Sequence, residues 1–260
     1  MAKHIKKQNG VKRLIIILLL IIAITGIILL VKIKLSEYLD NKSQIETSQV
    51  LDEIDIPDEN ITEEQTERML QVQELKKENN DIVGWLEIAD TNINYPVLQG
   101  SDNDYYLTHN YKNEEVAGGS IFLDKDYSFI RPSDNLLIYG HRNTKGLMFE
   151  DLEKYADESF YKEHPTIRFT TVADDSEYEV MAVFYSRVYY KNETNVFRYY
   201  YFINAENEEE YNEFVENAKE SSIYDTSVTA EYGDQLLTLS TCDYNQENGR
   251  FAVVAKKIED

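Results

Sequence analysis

Cys242 is the only cysteine of the chain, and it stands where an apolar segment meets a polar turn. The segment QLLTLSTC is followed by DYNQENG, so the thiol is expected at the end of a β-strand. Strand ends are frequent positions for functional side chains, because the sheet is rigid and the adjoining loops leave the site accessible. A lone cysteine is more often an inert buried residue, so its neighbours must provide the evidence for catalysis.

His141 and Arg250 have similar positions. His141 follows the apolar segment NLLIYG, and Arg250 opens the segment RFAVVAKK, eight residues after Cys242 and across a turn. A hairpin of that length would return the guanidinium to the thiol. Each residue alone is compatible with an ordinary surface position. Together they suit acyl transfer, in which a thiolate attacks an amide carbonyl, an imidazole protonates the leaving amine and a guanidinium stabilises the oxyanion.

The elements that must position these residues are short segments rich in β-branched and aromatic side chains. Eight of them follow Gly84: WLEI, INYPVL, SIFLD, NLLIY, TIRFTTV, YEVMAVFYSRVYY, QLLTLS and RFAVVAKK. They predict eight strands in a closed or nearly closed sheet. Two helical patterns interrupt the series, at Leu147–Phe160 and at Glu206–Ser221. The sequence therefore predicts a mainly β domain of the α+β type, with a helical insertion before the cysteine strand.

The N-terminal region has the pattern of a membrane anchor. Residues 14–31 carry no charge and just reach the length that crosses a bilayer. Basic residues are denser before this run than after it, which places the N-terminus in the cytoplasm. We therefore expect a cytoplasmic tail (1–13), a transmembrane anchor (14–31), an acidic stalk (32–60) and an extracytoplasmic catalytic domain (61–260). A cleaved signal peptide is the alternative, but no small-residue cleavage site follows the run.

Composition excludes several classes of protein. The formal charge is -22, and residues 1–34 hold seven basic residues and no acidic one, so the rest of the chain is more acidic still. Such a domain repels nucleic acid. A single cysteine excludes an internal disulfide framework and a multi-cysteine zinc site. Because no acidic cluster has the spacing of a metal-binding loop, we expect neither a metal nor another cofactor.

The motifs resemble those of the sortase family of Gram-positive bacteria. The resemblance lies in YGH at 139–141, LSTC at 239–242 and Arg250, in that order. The segments 84–107, GGSIFLD at 118–124 and GHRNTKGLMFEDL at 140–152 are similar to the class B branch. This resemblance implies a closed eight-stranded β-barrel with N-terminal helices and the helical insertion already described.

The resemblance also implies a reaction and a set of residue roles. A sortase is a cysteine transpeptidase that cleaves a C-terminal sorting signal, here of the NPxTx or SPxTG type, and joins the secreted protein to an amine of peptidoglycan or lipid II. Cys242 would carry the acyl group, His141 would act as acid and base, and Arg250 would bind the oxyanion. The substrate-binding residues would be Asn103, Leu107, Ser240, Thr241 and Asp243.

The sequence does not settle the roles of three further features. Asp243 is equally compatible with a turn residue that bonds its own backbone. Arg142 follows the histidine where the class B branch often has a polar uncharged residue, which affects the charge of the pocket. Residues 191–205 are expected to form the wall that reads the sorting signal.

Two alternatives remain. A peptidoglycan L,D-transpeptidase also uses cysteine and histidine in a β-rich domain, but its motif Ser-x-Gly-Cys-Arg does not match Ser240-Thr241-Cys242-Asp243. A membrane-tethered binding module without catalysis would bury Cys242 in an unreactive form.

Overall fold

The computed structural model describes residues 2–50, 53–56, 66–142, 146–243 and 245–259. The chain divides into two compact units, Met1–Lys42 and Ser43–Asp260. The described residues of the first unit belong to helix α1 (Ala2–Gln49), which continues into the first residues of the second unit. Within α1, Ile17–Gln49 is long and apolar enough to cross a membrane, and its most apolar stretch is not buried. The expected domain boundary at residue 61 lies outside the described residues.

The second unit contains the rest of the regular structure. Its helices are α2 (Glu67–Leu75), α3 (Glu158–Glu163) and α4 (Glu208–Ser221). Its strands are β1 (Ile82–Glu87), β2 (Asn94–Leu98), β3 (Ile121–Leu123), β4 (Asn135–Tyr139), β5 (Thr166–Thr170), β6 (Asp175–Arg187), β7 (Leu236–Asp243) and β8 (Gly249–Lys257). Short 3-10 helices lie at Tyr105–Leu107, Glu150–Ala156 and Tyr199–Tyr201.

The eight strands form a closed barrel in the order β1-β2-β3-β4-β7-β8-β6-β5, and β5 pairs with β1 to complete it. The pairs β2–β3 and β4–β7 are parallel, and the other pairs are antiparallel. Closure pairs the edge strands that an open sheet would leave exposed. The barrel interior is filled with apolar side chains such as Leu86, Val97, Ile138 and Val253, all fully buried. The predicted eight-stranded barrel is confirmed.

Helix α4 is the predicted insertion before the cysteine strand. Its apolar side chains at Tyr211, Phe214, Val215 and Ala218 are buried in a second cluster, on the barrel's outer side, which includes residues of β6, β7 and β8. Asn207 caps the helix, because its side-chain oxygen accepts a hydrogen bond from the backbone N–H of Glu210.

The other helical pattern, Leu147–Phe160, is divided in the structure. A 3-10 helix covers Glu150–Ala156, and α3 starts anew at Glu158. Asp157 accounts for the division, because it has an extended backbone and its carboxylate caps α3 by accepting from the N–H of Ser159. Asp157 therefore ends the 3-10 helix and, as the N-cap residue, begins α3.

A partly buried ion pair joins α2 to the β5–β6 hairpin. Arg168 donates two hydrogen bonds to Asp175, at 2.8 and 2.6 Å, and the hydroxyls of Thr170 and Thr66 donate to the same carboxylate, both at 2.7 Å. Thr66 is the N-cap residue of α2. Burial alone would raise the pKa of Asp175, but these hydrogen bonds and the charge of Arg168 lower that pKa to about 2.

The lowered pKa of Asp175 predicts an acid-sensitive contribution to stability. The contribution is fully present above the ordinary pKa of 3.8 and is lost as the pH falls towards about 2. Asp175→Asn should therefore reduce the free energy of unfolding at pH 7 by about 1 to 2 kcal/mol, after allowance for solvent screening. Urea unfolding at pH 7 and at pH 2.5 measures this difference, which should shrink at the lower pH.

Glu216→Gln is the control, because Glu216 is an exposed acidic residue of α4. It should leave the free energy of unfolding nearly unchanged at both pH values. An Asp175→Asn effect that is equally large at pH 2.5 would contradict the assigned role of the carboxylate charge.

Candidate active site

Strand pairing brings Cys242, His141 and Arg250 to one end of the barrel, and we call them the Cys–His–Arg cluster. Strands β4 and β7 are parallel, with Tyr139 opposite Ser240. His141 and Cys242 each follow two residues later, so both emerge at the same end. Cys242 is directly opposite Arg250 on the antiparallel strand β8. Directly opposed residues have Cβ atoms about 5 Å apart on the same face of the sheet.

The cluster lines a cavity of about 210 Å³, which we call the Cys242 cavity. Every predicted site residue except Asp243 contributes to it. Phe122, Tyr139 and Gly140 complete the lining. Phe122 and Tyr139 are cross-strand partners with ring centroids 5.3 Å apart. Both lie in motifs already noted in the sequence, but the pattern alone did not show that their rings face the cavity.

The imidazole of His141 is oriented by the main chain. Its Nε2 lies 2.9 Å from the carbonyl oxygen of Leu107, and its own carbonyl accepts from the N–H of Phe149 at 2.9 Å. Gly140 permits this path, since a Cβ there would lie 2.5 Å from Ile121 Cδ1 and 2.6 Å from Phe149 Cδ2. A larger residue would displace the segment that carries His141.

Two buried hydroxyls support the strand that carries Cys242. Thr241 Oγ1 donates to the carbonyl of Gly140 at 2.8 Å, which joins the cysteine strand to the histidine segment. Ser240 Oγ lies 2.7 Å from the hydroxyl of Tyr199. Cys242 itself is a free thiol and is partly exposed to solvent. Arg250 donates to the carbonyl of Gly249 at 2.9 Å, which directs part of its guanidinium.

Asn103 and Tyr139 share one partner at the cavity. Asn103 Nδ2 and the Tyr139 hydroxyl both donate to Asp124 Oδ2, at 2.8 and 3.0 Å. Asn103 Oδ1 accepts from the N–H of Lys125 at 2.9 Å. Burial raises the pKa of Tyr139 and the adjacent Asp124 raises it further, so the phenol stays protonated.

Asp243 is buried outside the Cys242 cavity. Its Oδ1 accepts from the backbone N–H and the side-chain amide of Asn245, at 3.0 and 2.7 Å. Asp243 thus makes the local contacts of a turn residue, which was one of its two expected roles. Sequence reasoning alone could not separate the two, because Asp is common both in turns and in sites.

Arg142 lies among three carboxylates. Its guanidinium is 3.6 Å from Glu150, 4.0 Å from Asp243, and also pairs with Glu153. Burial raises the pKa of Glu150, and the charge of Arg142 opposes that shift. The arginine after the histidine therefore balances carboxylates next to the cysteine strand.

Residues 191–205 contact the Cys242 cavity through Ser240, one of the residues that line it. The lining contains none of the described residues in this range, although Tyr199 supports Ser240 from behind. A separate hollow of about 430 Å³ lies between part of this segment and α4. Its lining contains no member of the Cys–His–Arg cluster.

Comparison with known proteins decides the family. A model of the sortase domain matches residues 86–258. Sortase B of Listeria monocytogenes is 39% identical over 192 residues, which cover 72% of this chain and 74% of that protein. Sortase B of Staphylococcus aureus is 35% identical over 191 residues, covering 73% and 75%. The chain belongs to the sortase family.

Solved sortase structures agree in fold. Sortase B of Bacillus anthracis superposes with a TM-score of 0.72 at 34% identity, covering 87% of this chain and 99% of that one. A substrate complex of Staphylococcus aureus sortase B gives 0.71 at 28% identity, covering 86% and 99%. A sortase B complex with triglycine also gives 0.71, at 29% identity and the same coverage. The protein is thus a cysteine transpeptidase of the sortase B type that serves cell-wall sorting, and the two alternatives are not favoured.

The pair formed by Ser240 and Tyr199 predicts a non-additive effect on stability of this sortase. Ser240→Ala leaves the buried Tyr199 hydroxyl without its partner and should reduce the free energy of unfolding by about 1 to 3 kcal/mol. The double variant Ser240→Ala/Tyr199→Phe removes both polar groups and should recover much of that loss. Urea unfolding of the wild type, Ser240→Ala, Tyr199→Phe and the double variant measures the coupling. Strictly additive losses would contradict the coupling.

Proposed function

We propose that this sortase cleaves a C-terminal sorting signal of the NPxTx or SPxTG type and transfers the secreted protein to an amine of peptidoglycan or lipid II. The observation that carries the proposal is the Cys242 cavity. It combines a reachable thiol, an imidazole and a guanidinium with the side chains of Asn103 and Leu107. The substrate and triglycine complexes of related sortases support a peptide donor and an amine acceptor.

In the first half-reaction, the thiolate of Cys242 attacks the carbonyl carbon of the scissile amide. The guanidinium of Arg250 donates hydrogen bonds to the resulting oxyanion. Protonated His141 gives its proton to the departing nitrogen, so the C–N bond breaks and an amine leaves. The acyl part of the signal remains on sulfur as a thioester.

In the second half-reaction, the acceptor amine enters in place of the departed fragment. Neutral His141 takes a proton from the amine as its nitrogen attacks the thioester carbonyl. The C–S bond breaks, the thiolate of Cys242 is restored, and a new amide joins the two partners. The imidazole ends in its protonated form, ready for the next cycle.

A peptide panel tests the proposal. The detergent-solubilised full chain should cleave at least one peptide of the NPxT or SPxTG type, and chromatography of the released C-terminal fragment measures the rate. Cys242→Ala should abolish cleavage, because no other thiol can replace the nucleophile. Arg250→Lys keeps the charge but loses the planar fork, and should lower kcat/KM about 100-fold.

Arg68→Lys is the matched control, because Arg68 forms an ion pair with Glu87 and does not line the Cys242 cavity. It should cleave like the wild type. Failure of the wild type on every peptide, or cleavage by Cys242→Ala, would contradict the proposed function.

We further propose that the N-terminus is cytoplasmic and that the barrel lies on the extracytoplasmic side of the membrane. The support is the apolar segment of α1 together with the basic residues that precede it. A membrane-impermeant thiol reagent should label Cys242 in intact cells. A Gln8→Cys change in a Cys242→Ala background should be labelled only after lysis. The reverse pattern of labelling would contradict this orientation.

A further inference from the structure

We propose that Asp124 is a positioning residue that holds Asn103 and Tyr139 in the geometry required by the sorting signal. Asp124 follows β3, is buried and does not line the Cys242 cavity. It therefore acts on the substrate through its two partners. The inference rests on the proposed function, since it assumes that the signal binds in this cavity.

Both oxygens of the Asp124 carboxylate are engaged. Oδ2 accepts from Asn103 Nδ2 at 2.8 Å and from the Tyr139 hydroxyl at 3.0 Å. Oδ1 accepts from the backbone N–H of Asp126 at 2.9 Å. Because the two oxygens have separate partners, rotation of the carboxylate would break hydrogen bonds on both sides.

The backbone around Asp124 is fixed as well. Its N–H donates to the carbonyl of Leu137 at 2.8 Å, and its carbonyl accepts from the N–H of Tyr127 at 3.1 Å. The side-chain amide of Gln99 donates to the carbonyls of Asp124 and Tyr127, at 2.9 and 2.8 Å. The turn is thus a rigid support for the groups that it holds.

This arrangement decides which polar groups the cavity can offer. Asn103 uses one N–H on Asp124 and one oxygen lone pair on Lys125, so its amide cannot flip and keeps one N–H for a ligand. The Tyr139 hydroxyl donates its hydrogen to Asp124, so towards a ligand it can act only as an acceptor. The remaining N–H of Asn103 can thus donate to an acceptor of the signal, and the Tyr139 hydroxyl can accept from an N–H or O–H donor.

Steady-state kinetics on a cleaved signal peptide tests this role. Asp124→Ala should raise KM about tenfold, because both partners lose their fixed orientation, and should change kcat by less than about twofold. Asp124→Asn keeps the shape and one acceptor oxygen, so it should rescue part of the loss. Asp126→Ala is the matched control, since Asp126 is an exposed acidic residue of the same turn, and its KM should equal that of the wild type.

Removal of the partners separates positioning from a general structural role. In an Asn103→Ala/Tyr139→Phe background, Asp124→Ala should add no further rise in KM, because the groups that it orients are gone. The rate at which a methanethiosulfonate reagent labels Cys242 should be the same in all these variants. An unchanged KM in Asp124→Ala, or an equal rise in both backgrounds, would overturn the inference.

One readout does not depend on turnover. Of the two side-chain N–H signals of Asn103, assigned by their loss in Asn103→Ala, the one bonded to Asp124 should be protected from hydrogen exchange in the wild type and unprotected in Asp124→Ala. Protection that persists in Asp124→Ala would overturn the inference. A wild type that cleaves no peptide would contradict the proposed function instead, and the exchange measurement would still decide the role of Asp124.

Discussion

The parallel pairing of β4 and β7 is the constraint on which the site depends. Their register aligns Tyr139 with Ser240, so the segments that carry His141 and Cys242 leave the barrel side by side. The antiparallel pairing of β7 with β8 then places Arg250 opposite Cys242. A one-residue shift of either register would turn the side chains to the other face of the sheet. The closed barrel opposes such a shift, because every strand has a partner on both sides.

Buried polar contacts stabilise this alignment at the end of the barrel. Thr241 ties the cysteine strand to the histidine segment, and Ser240 pairs with Tyr199 from the segment before α4. Asp124 holds Asn103 and Tyr139 from the other side of β4. A buried polar group without its partner is costly, so each contact favours one arrangement of the strands. The same contacts that support the fold therefore also preorganise the cavity.

Sequence was sufficient for the strands and for the Cys–His–Arg cluster. Each of the eight predicted segments forms a strand, because β-branched and aromatic residues recur between turn signals. The cluster was predictable because its three residues stand at strand ends. The helical pattern at Leu147–Phe160 was less informative, since periodicity does not show that Asp157 starts a new helix.

The remaining parts of the site depend on contacts between residues far apart in the chain. Asp124 and Tyr199 look like ordinary strand-end and aromatic residues in the sequence, and only the folded barrel shows that they support Asn103 and Ser240. The position of Asp243 also required the structure, because its turn contacts with Asn245 are set by local backbone geometry. Patterns of hydrophobicity report burial and do not report which polar atoms meet.

The central claim is that Cys242 forms a thioester with the sorting signal. Intact-protein mass spectrometry tests it most directly, after incubation of the full chain with a cleavable signal peptide in the absence of an amine acceptor and an acid quench. We predict a mass increase equal to the acyl fragment of the peptide, located at Cys242 and absent from Cys242→Ala. Cleavage without any adduct on Cys242, or an adduct on another residue, would contradict the account.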